Sequence, residues 1–122
     1  MDALASQLDA RVVQGLWIFG SRASDGARPE SDLDLGVLCT PELGVERFAI
    51  EDRVARALNL EVDLIDMASC DPILAWEIIT TGRLLHEPDE RAVEHFMREA
   101  RFRAEDADQR NRMILLATGA RR

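Results

Sequence analysis

Apolar residues recur along this chain in two periods, and the switches between them divide it into elements. Leu4, Leu8 and Val12 stand four apart, the spacing of one helix face, and predict an amphipathic helix over residues 2–13. "GLWIF" at 15–19 is a short unbroken apolar run stopped by Gly20, which reads as a buried strand. "SDGARP" at 24–29 concentrates turn formers and predicts a reversal. "SDLDLGVL" at 31–38 alternates and then becomes wholly apolar, a second strand. Pro41 and Glu42 open a helix in which Leu43, Arg47, Ile50, Val54 and Leu58 share a face, and "LEVDLIDM" at 60–67 is a third strand. Asp71 followed by Pro72 has the form of an N-cap with proline in the first turn. That helix ends at Gly82, with Arg83 placed to meet its C-terminal dipole. A last long helix begins near Asp89, carried by Val93, Phe96, Met97, Ala100, Ala104 and Ala107.

The order helix, strand, strand, helix, strand, helix, helix predicts an α/β (α+β) fold, a small mixed β-sheet with helices packed on it. At 122 residues the chain has room for one ordinary core, and no repeat or linker divides it. Trp17 and Trp76 are expected to fill that core. "MILLA" at 113–117 is a second apolar patch, suited to tail packing or to contact with another protein.

Composition narrows the function. Apolar residues make up 47% and charged residues 31%, a globular balance. No apolar run approaches the roughly 20 residues of a membrane span. "MDALASQLDARVV" lacks the basic start and apolar stretch of a signal peptide, so a cytoplasmic protein is expected. Cys39 and Cys70 form no metal or disulfide pattern and read as free thiols. His86 and His95 have no partner near them in sequence and attract no functional role. A net charge of −8 argues against general affinity for nucleic acid. Residues 1–97 hold 8 arginines against 19 acids, whereas residues 98–122 hold 7 against 4. That basic end suits an acidic partner or is simply a solvated helix face. The chain has no lysine, which excludes Schiff-base chemistry and a P-loop lysine.

The candidate chemistry lies in "FGSRASDGARPESDLDLGVL" at 19–38. Strand residues two apart share a face about 6–7 Å apart, so Asp32 and Asp34 project side by side while Leu33 and Leu35 face the core. Two carboxylates so close repel unless a cation lies between them. Oxygen ligands at this spacing suit Mg²⁺, which takes one or two carboxylates together with substrate phosphates. Asp63, again between apolar residues on a strand, reaches the same spot if the second and third strands are neighbours. Asp66 and Glu61 are alternatives for this third acid, Asp66 otherwise belonging to the turn into the next helix. Three acids around a phosphate-bearing substrate are the plan of two-metal phosphoryl or nucleotidyl transfer. Gly20 lets a phosphate approach the backbone, the Ser21 hydroxyl adds a donor, and Arg22 adds positive charge. Taken singly, Gly-Ser is a common turn and Asp-Leu-Asp a common solvated strand face. The conjunction is what points to a metal–nucleotide site.

Gly-Ser, ten residues, then Asp-any-Asp resembles the signature of the DNA polymerase β-like nucleotidyltransferase superfamily in its minimal form. "GSRAS…ARPESDLDLGVL" and "VDLIDMASCDPILAWEIITTGRLLHEPDE" are similar to the minimal nucleotidyltransferase (MNT) family over about residues 8–97. The resemblance implies a polymerase β-like fold, with a nucleotidyltransferase domain at 1–97 and a helical tail at 98–122 that belongs to the same domain or binds a partner. It further implies the antitoxin half of a two-gene module whose toxin is a HEPN-domain ribonuclease. The activity implied is transfer of AMP from ATP to a tyrosine of that toxin. By position, Gly20 and Ser21 would hold the triphosphate and Asp32 and Asp34 would ligate two Mg²⁺ ions. Asp63 would be the third ligand and a candidate base. Where the family often has a second arginine followed by glycine, this chain has Ser24 and Asp25 before Gly26, an acid near the expected triphosphate.

Two other functions compete. One is an antitoxin that neutralises by docking alone, its site vestigial and its acidic body covering a basic RNA-binding surface. The other is transfer to a small molecule, for which the short remainder after the core leaves little room. The apolar C-terminal patch serves homo-oligomer and hetero-oligomer equally well.

Overall fold

A computed structural model gives the fold, and the residues it describes are 12–20 and 33–117. Strands Val12–Phe19 (β1), Leu33–Thr40 (β2), Val62–Asp66 (β3) and Arg83–His86 (β4) form one sheet in the order β3-β2-β1-β4. β1 runs antiparallel to both β2 and β4, whereas β2 and β3 are parallel. Parallel neighbours need a crossover. Helix Arg47–Leu58 (α1), entered through a 3-10 turn at Gly44–Glu46, supplies it. Helices Pro72–Thr81 (α2) and Glu90–Ala117 (α3) complete the described residues.

Both faces of the sheet are covered, which is why its strands read as nearly continuous apolar runs. Leu16, Ile18, Leu35, Val37 and Leu64 lie on one face with Ile50 and Val54 of α1. Trp17 and Leu38 lie on the other with Ala75 and Ile78 of α2 and Val93 of α3. The Trp17 ring sits 6.1 Å from that of Phe96. Each large side chain so buried contributes about 1.5–3 kcal/mol. Trp76 is half-buried, less enclosed than expected.

The expected N-cap holds: the Asp71 carboxylate accepts from Ile73 N–H at 2.8 Å, with Pro72 in the first turn. Asp89 does the same for α3, accepting from Ala92 N–H at 3.1 Å. Four expectations are corrected. Val12 and Val13 are strand residues paired with Thr40 and Cys39, not the end of a helix; residues 2–11 of the expected helix lie outside the described residues. α1 starts at Arg47 rather than Pro41, because Gly44 turns left-handed at φ +56°, which no right-handed helix contains, while Leu43 N–H donates to Asp66 Oδ2 at 3.2 Å. Its expected apolar face stops short of Leu58, which is exposed where Asn59 ends the helix in a left-handed conformation at φ 54°. Arg83 does not close a helix but begins β4, pairing with Ile18. α3 runs unbroken through Arg98, burying Val93, Ala100 and Ala104. Met113, Ile114 and Leu116 near its end are exposed. Among the described residues no helix is long and apolar enough to cross a membrane.

Candidate active site

β2 and β3 are neighbours, and their parallel register sets Asp34 level with Asp63. Residues level on adjacent parallel strands project to one face, about 4.8 Å apart. The alternation that sends Leu35 and Leu64 into the core against α1 therefore turns both aspartates to the face covered by α2 and α3. They stand at the strands' N-terminal ends, beside the C-terminal end of β1, where Phe19 pairs with Asp34. Asp34 is half-buried and Asp63 exposed.

Gly20 follows directly on β1 at φ +70°, and a Cβ added there would run into the Asp34 carboxylate. Glycine is required twice over, by conformation and by space. Gly20, Asp34 and Asp63 thus come together, Asp63 because β2 and β3 are the neighbours that its reach required. Ser21, Arg22, Asp32 and the Ser24–Asp25 departure lie outside the described residues.

A cleft of about 310 Å³ opens beside this group, lined by Phe19, Gly20, Leu74, Glu77, Ile78 and Thr81. Its α2 wall was not visible in the sequence. Which turn of a helix covers a sheet end is decided by tertiary packing, and the only local signal is the polar pair Glu77 and Thr81 on a mostly apolar helix. The Thr81 hydroxyl donates to the Glu77 carbonyl at 2.7 Å, and Gly82 N–H to the Ile78 carbonyl at 2.8 Å, closing that helix end. A second hollow of about 290 Å³, between Asp71 at the start of α2 and Arg103 and Arg110 of α3, lies at the opposite end of α2.

The alternatives for the third acid separate. Asp66 is buried, and strand alternation puts it on the α1 face with Leu64. Its Oδ2 accepts from Leu43 N–H and, at 2.9 Å, from the Ser69 hydroxyl, and its carbonyl accepts from Ser69 and Cys70 N–H. This is turn architecture, facing away from Asp34. Glu61 precedes β3 and is exposed, its carbonyl accepting from Leu33 N–H at 2.8 Å.

The donor set fits a hard divalent cation. Among the described residues no three acid, cysteine or histidine side chains gather as a metal cluster. Asp34 and Asp63 are two carboxylates on one face, and an octahedral Mg²⁺ needs only one or two when phosphates and water supply the rest. The cleft that Gly20 and Phe19 line lies beside them and is where such phosphates would enter. Elsewhere, His86 and His95 are exposed, and neither Cys39 nor Cys70 forms a disulfide. Burial, with Asp66 and then Asp71 nearby, pushes the Cys70 thiol above its ordinary pKa.

Residues 4–91 match the family described as polymerase beta, nucleotidyltransferase. The protein adenylyltransferase MntA of Shewanella oneidensis is 31% identical over 74 residues, 60% of this chain and 53% of that protein. The chain thus aligns with about half the length of this relative. A chain in the crystal structure of a toxin–antitoxin with AMP-PNP superposes with a TM-score of 0.80 at 23% identity, covering 98% of both chains. A chain in the structure of tri-AMPylated Shewanella oneidensis HEPN toxin with MNT antitoxin gives 0.71 at 24% identity, covering 88% of this chain and 84% of that one. At such identities these two likenesses speak to the fold.

Proposed function

We propose that this chain, which belongs to the polymerase beta nucleotidyltransferase family, transfers AMP from ATP to a tyrosine hydroxyl of a partner HEPN-domain toxin and so silences it. The observation that carries the reading is the level placement of Asp34 and Asp63 beside the Gly20 backbone. The named activity of the MntA relative and the AMP-PNP and AMPylated complexes of the same fold support it.

Asp34 and Asp63, together with Asp32, would hold Mg²⁺, which when bound neutralises charge developing on the phosphate oxygens. The chain's own groups do the rest. Gly20, having no side chain, admits the triphosphate to the backbone, and Ser21 and Arg22 add a donor and a charge. The acceptor oxygen forms a bond to the α-phosphorus in line with the bond to the β-phosphate, which breaks and releases pyrophosphate. Asp63, exposed toward an incoming acceptor, takes the hydroxyl proton. Residues 1–97 would form the transfer unit and 98–122 its partner-facing extension, in the cytoplasm.

The test combines the purified chain, its neighbouring gene product, Mg²⁺ and α-labelled ATP, with intact mass read alongside and Asp32→Asn as control. AMP on the partner, lost in the variant, is the expected result. No transfer despite a tight complex would favour the second reading, neutralisation by docking alone. The exposed Met113, Ile114 and Leu116 at the end of α3 are the observation behind that reading.

A further inference from the structure

The Asp63 strand is an edge of the sheet, and its outer side is closed by two side chains rather than by another strand. Leu33 N–H donates to the Glu61 carbonyl at 2.8 Å and Met67 N–H to the Val37 carbonyl at 2.9 Å. Odd-numbered residues of this strand therefore bond to β2, and Leu64 turns its N–H and C=O outward. Leu64 N–H donates to Glu51 Oε2 at 2.8 Å, and Arg47 Nη1 donates to the Leu64 carbonyl at 2.7 Å. Arg47 and Glu51 are one turn apart on α1, 3.4 Å from each other, with side chains 26% and 23% exposed. Together they stand where a fifth strand would.

The N–H that Glu51 holds belongs to the peptide plane joining Asp63 to Leu64, and the orientation of that plane sets how the Asp63 carboxylate faces Asp34. We infer that Arg47 and Glu51 are positioning residues for Asp63, resting on the reading of Asp34 and Asp63 as cation-holding acids. A passive edge cover would satisfy the buried Leu64 amide and carbonyl but would leave the acids indifferent to its removal. Groups that orient a metal-holding carboxylate typically change affinity by about 10–100-fold when lost.

The test is Mn²⁺ affinity of the full chain by titration, without ATP or partner, beside AMP transfer. Glu51→Ala is expected to weaken Mn²⁺ binding by about tenfold. Glu51→Gln, whose amide oxygen still accepts from Leu64 N–H, is expected to restore it to within about twofold. In an Asp63→Asn background Glu51→Ala is expected to cost nothing more. If the alanine variant does not fold, Glu51→Asp, which withdraws the acceptor by one methylene, takes its place in the same scheme. Unchanged Mn²⁺ affinity, or equal losses with and without the Asp63 carboxylate, would overturn the inference. Failure of AMP transfer alone would count against the proposed function and leave the cation titration decisive for the clamp.

Discussion

The Gly20 backbone and the Asp34 carboxylate share one space: at φ +70° the glycine leaves no gap between its Cα hydrogens and that carboxylate for even a methyl group. The first is the end of β1 and the second the start of β2, so the antiparallel pair brings turn and acid together without any longer-range element. Gly20→Ala must displace the carboxylate or the turn, and left-handed backbone costs a non-glycine residue about 1–2 kcal/mol. AMP transfer is expected to fall by about a hundredfold or more, the scale of a misplaced reacting group, while far-UV circular dichroism stays native. Full activity in the alanine variant would remove Gly20 from the site.

Asp63 and Asp66 lie three residues apart and face opposite sides of the sheet, so their amide variants should behave oppositely. Asp63→Asn is expected to lower transfer by about 10²–10⁴-fold with little loss of stability, the range for a lost general base. Asp66→Ala leaves Leu43 N–H and the Ser69 hydroxyl without their acceptor. It is expected to cost about 1–3 kcal/mol in urea unfolding. Asp66→Asn, which retains an acceptor, should keep transfer near normal. A dead Asp66→Asn enzyme beside an active Asp63→Asn one would exchange their roles.

Gly82 joins α2 to β4 with ordinary backbone, but a Cβ there would come within 2.6 Å of the Ile78 carbonyl oxygen and 2.7 Å of that of Ile18. Both atoms are backbone and cannot turn aside. Gly82→Ala is expected to destabilise the fold by about 1–3 kcal/mol, read as a lower urea midpoint with an unchanged slope.

Cys70 gives a pH-dependent readout. Its thiol is held above the ordinary range first by burial, then by Asp66 and Asp71. The thiolate is therefore disfavoured in the folded chain. Its contribution to stability is full below the ordinary thiol pKa and is lost as pH rises through the folded value. Alkylation at pH 8 should be slower than for a free thiol, and its rate should reach half-maximum above the ordinary thiol pKa. Asp71→Asn should bring that midpoint down. Cys39, buried within the sheet, should react only on unfolding.

Sequence period was enough to find the strands that carry Asp34 and Asp63, because both are bounded by apolar neighbours at alternate places. Their convergence required β2 and β3 to be adjacent, which no local pattern states; the ladder supplies it. "RLLH" at 83–86 is four residues with no alternation behind Gly82, so β4 was hidden until β1 was there to pair with it. Val12 fitted a four-residue helix spacing, yet two β-branched residues beside a long partner strand favour the ladder. Pro41-Glu42 has a helix-opening look, overridden at Gly44, whose left-handed φ of +56° interrupts any helix before α1.

α3 is about 42 Å long at 1.5 Å per residue, but its last half-buried side chain is Ala107, and 108–117 are exposed throughout. Among the described residues a protease should nick this stretch first, at Arg110 or Arg112, and leave a trimmed core that still melts cooperatively. The same stretch is where substitutions drift at least cost to folding. A lineage could therefore retarget the chain by rewriting its final helical turns while the acids, the Gly20 cradle and the two cores stay untouched.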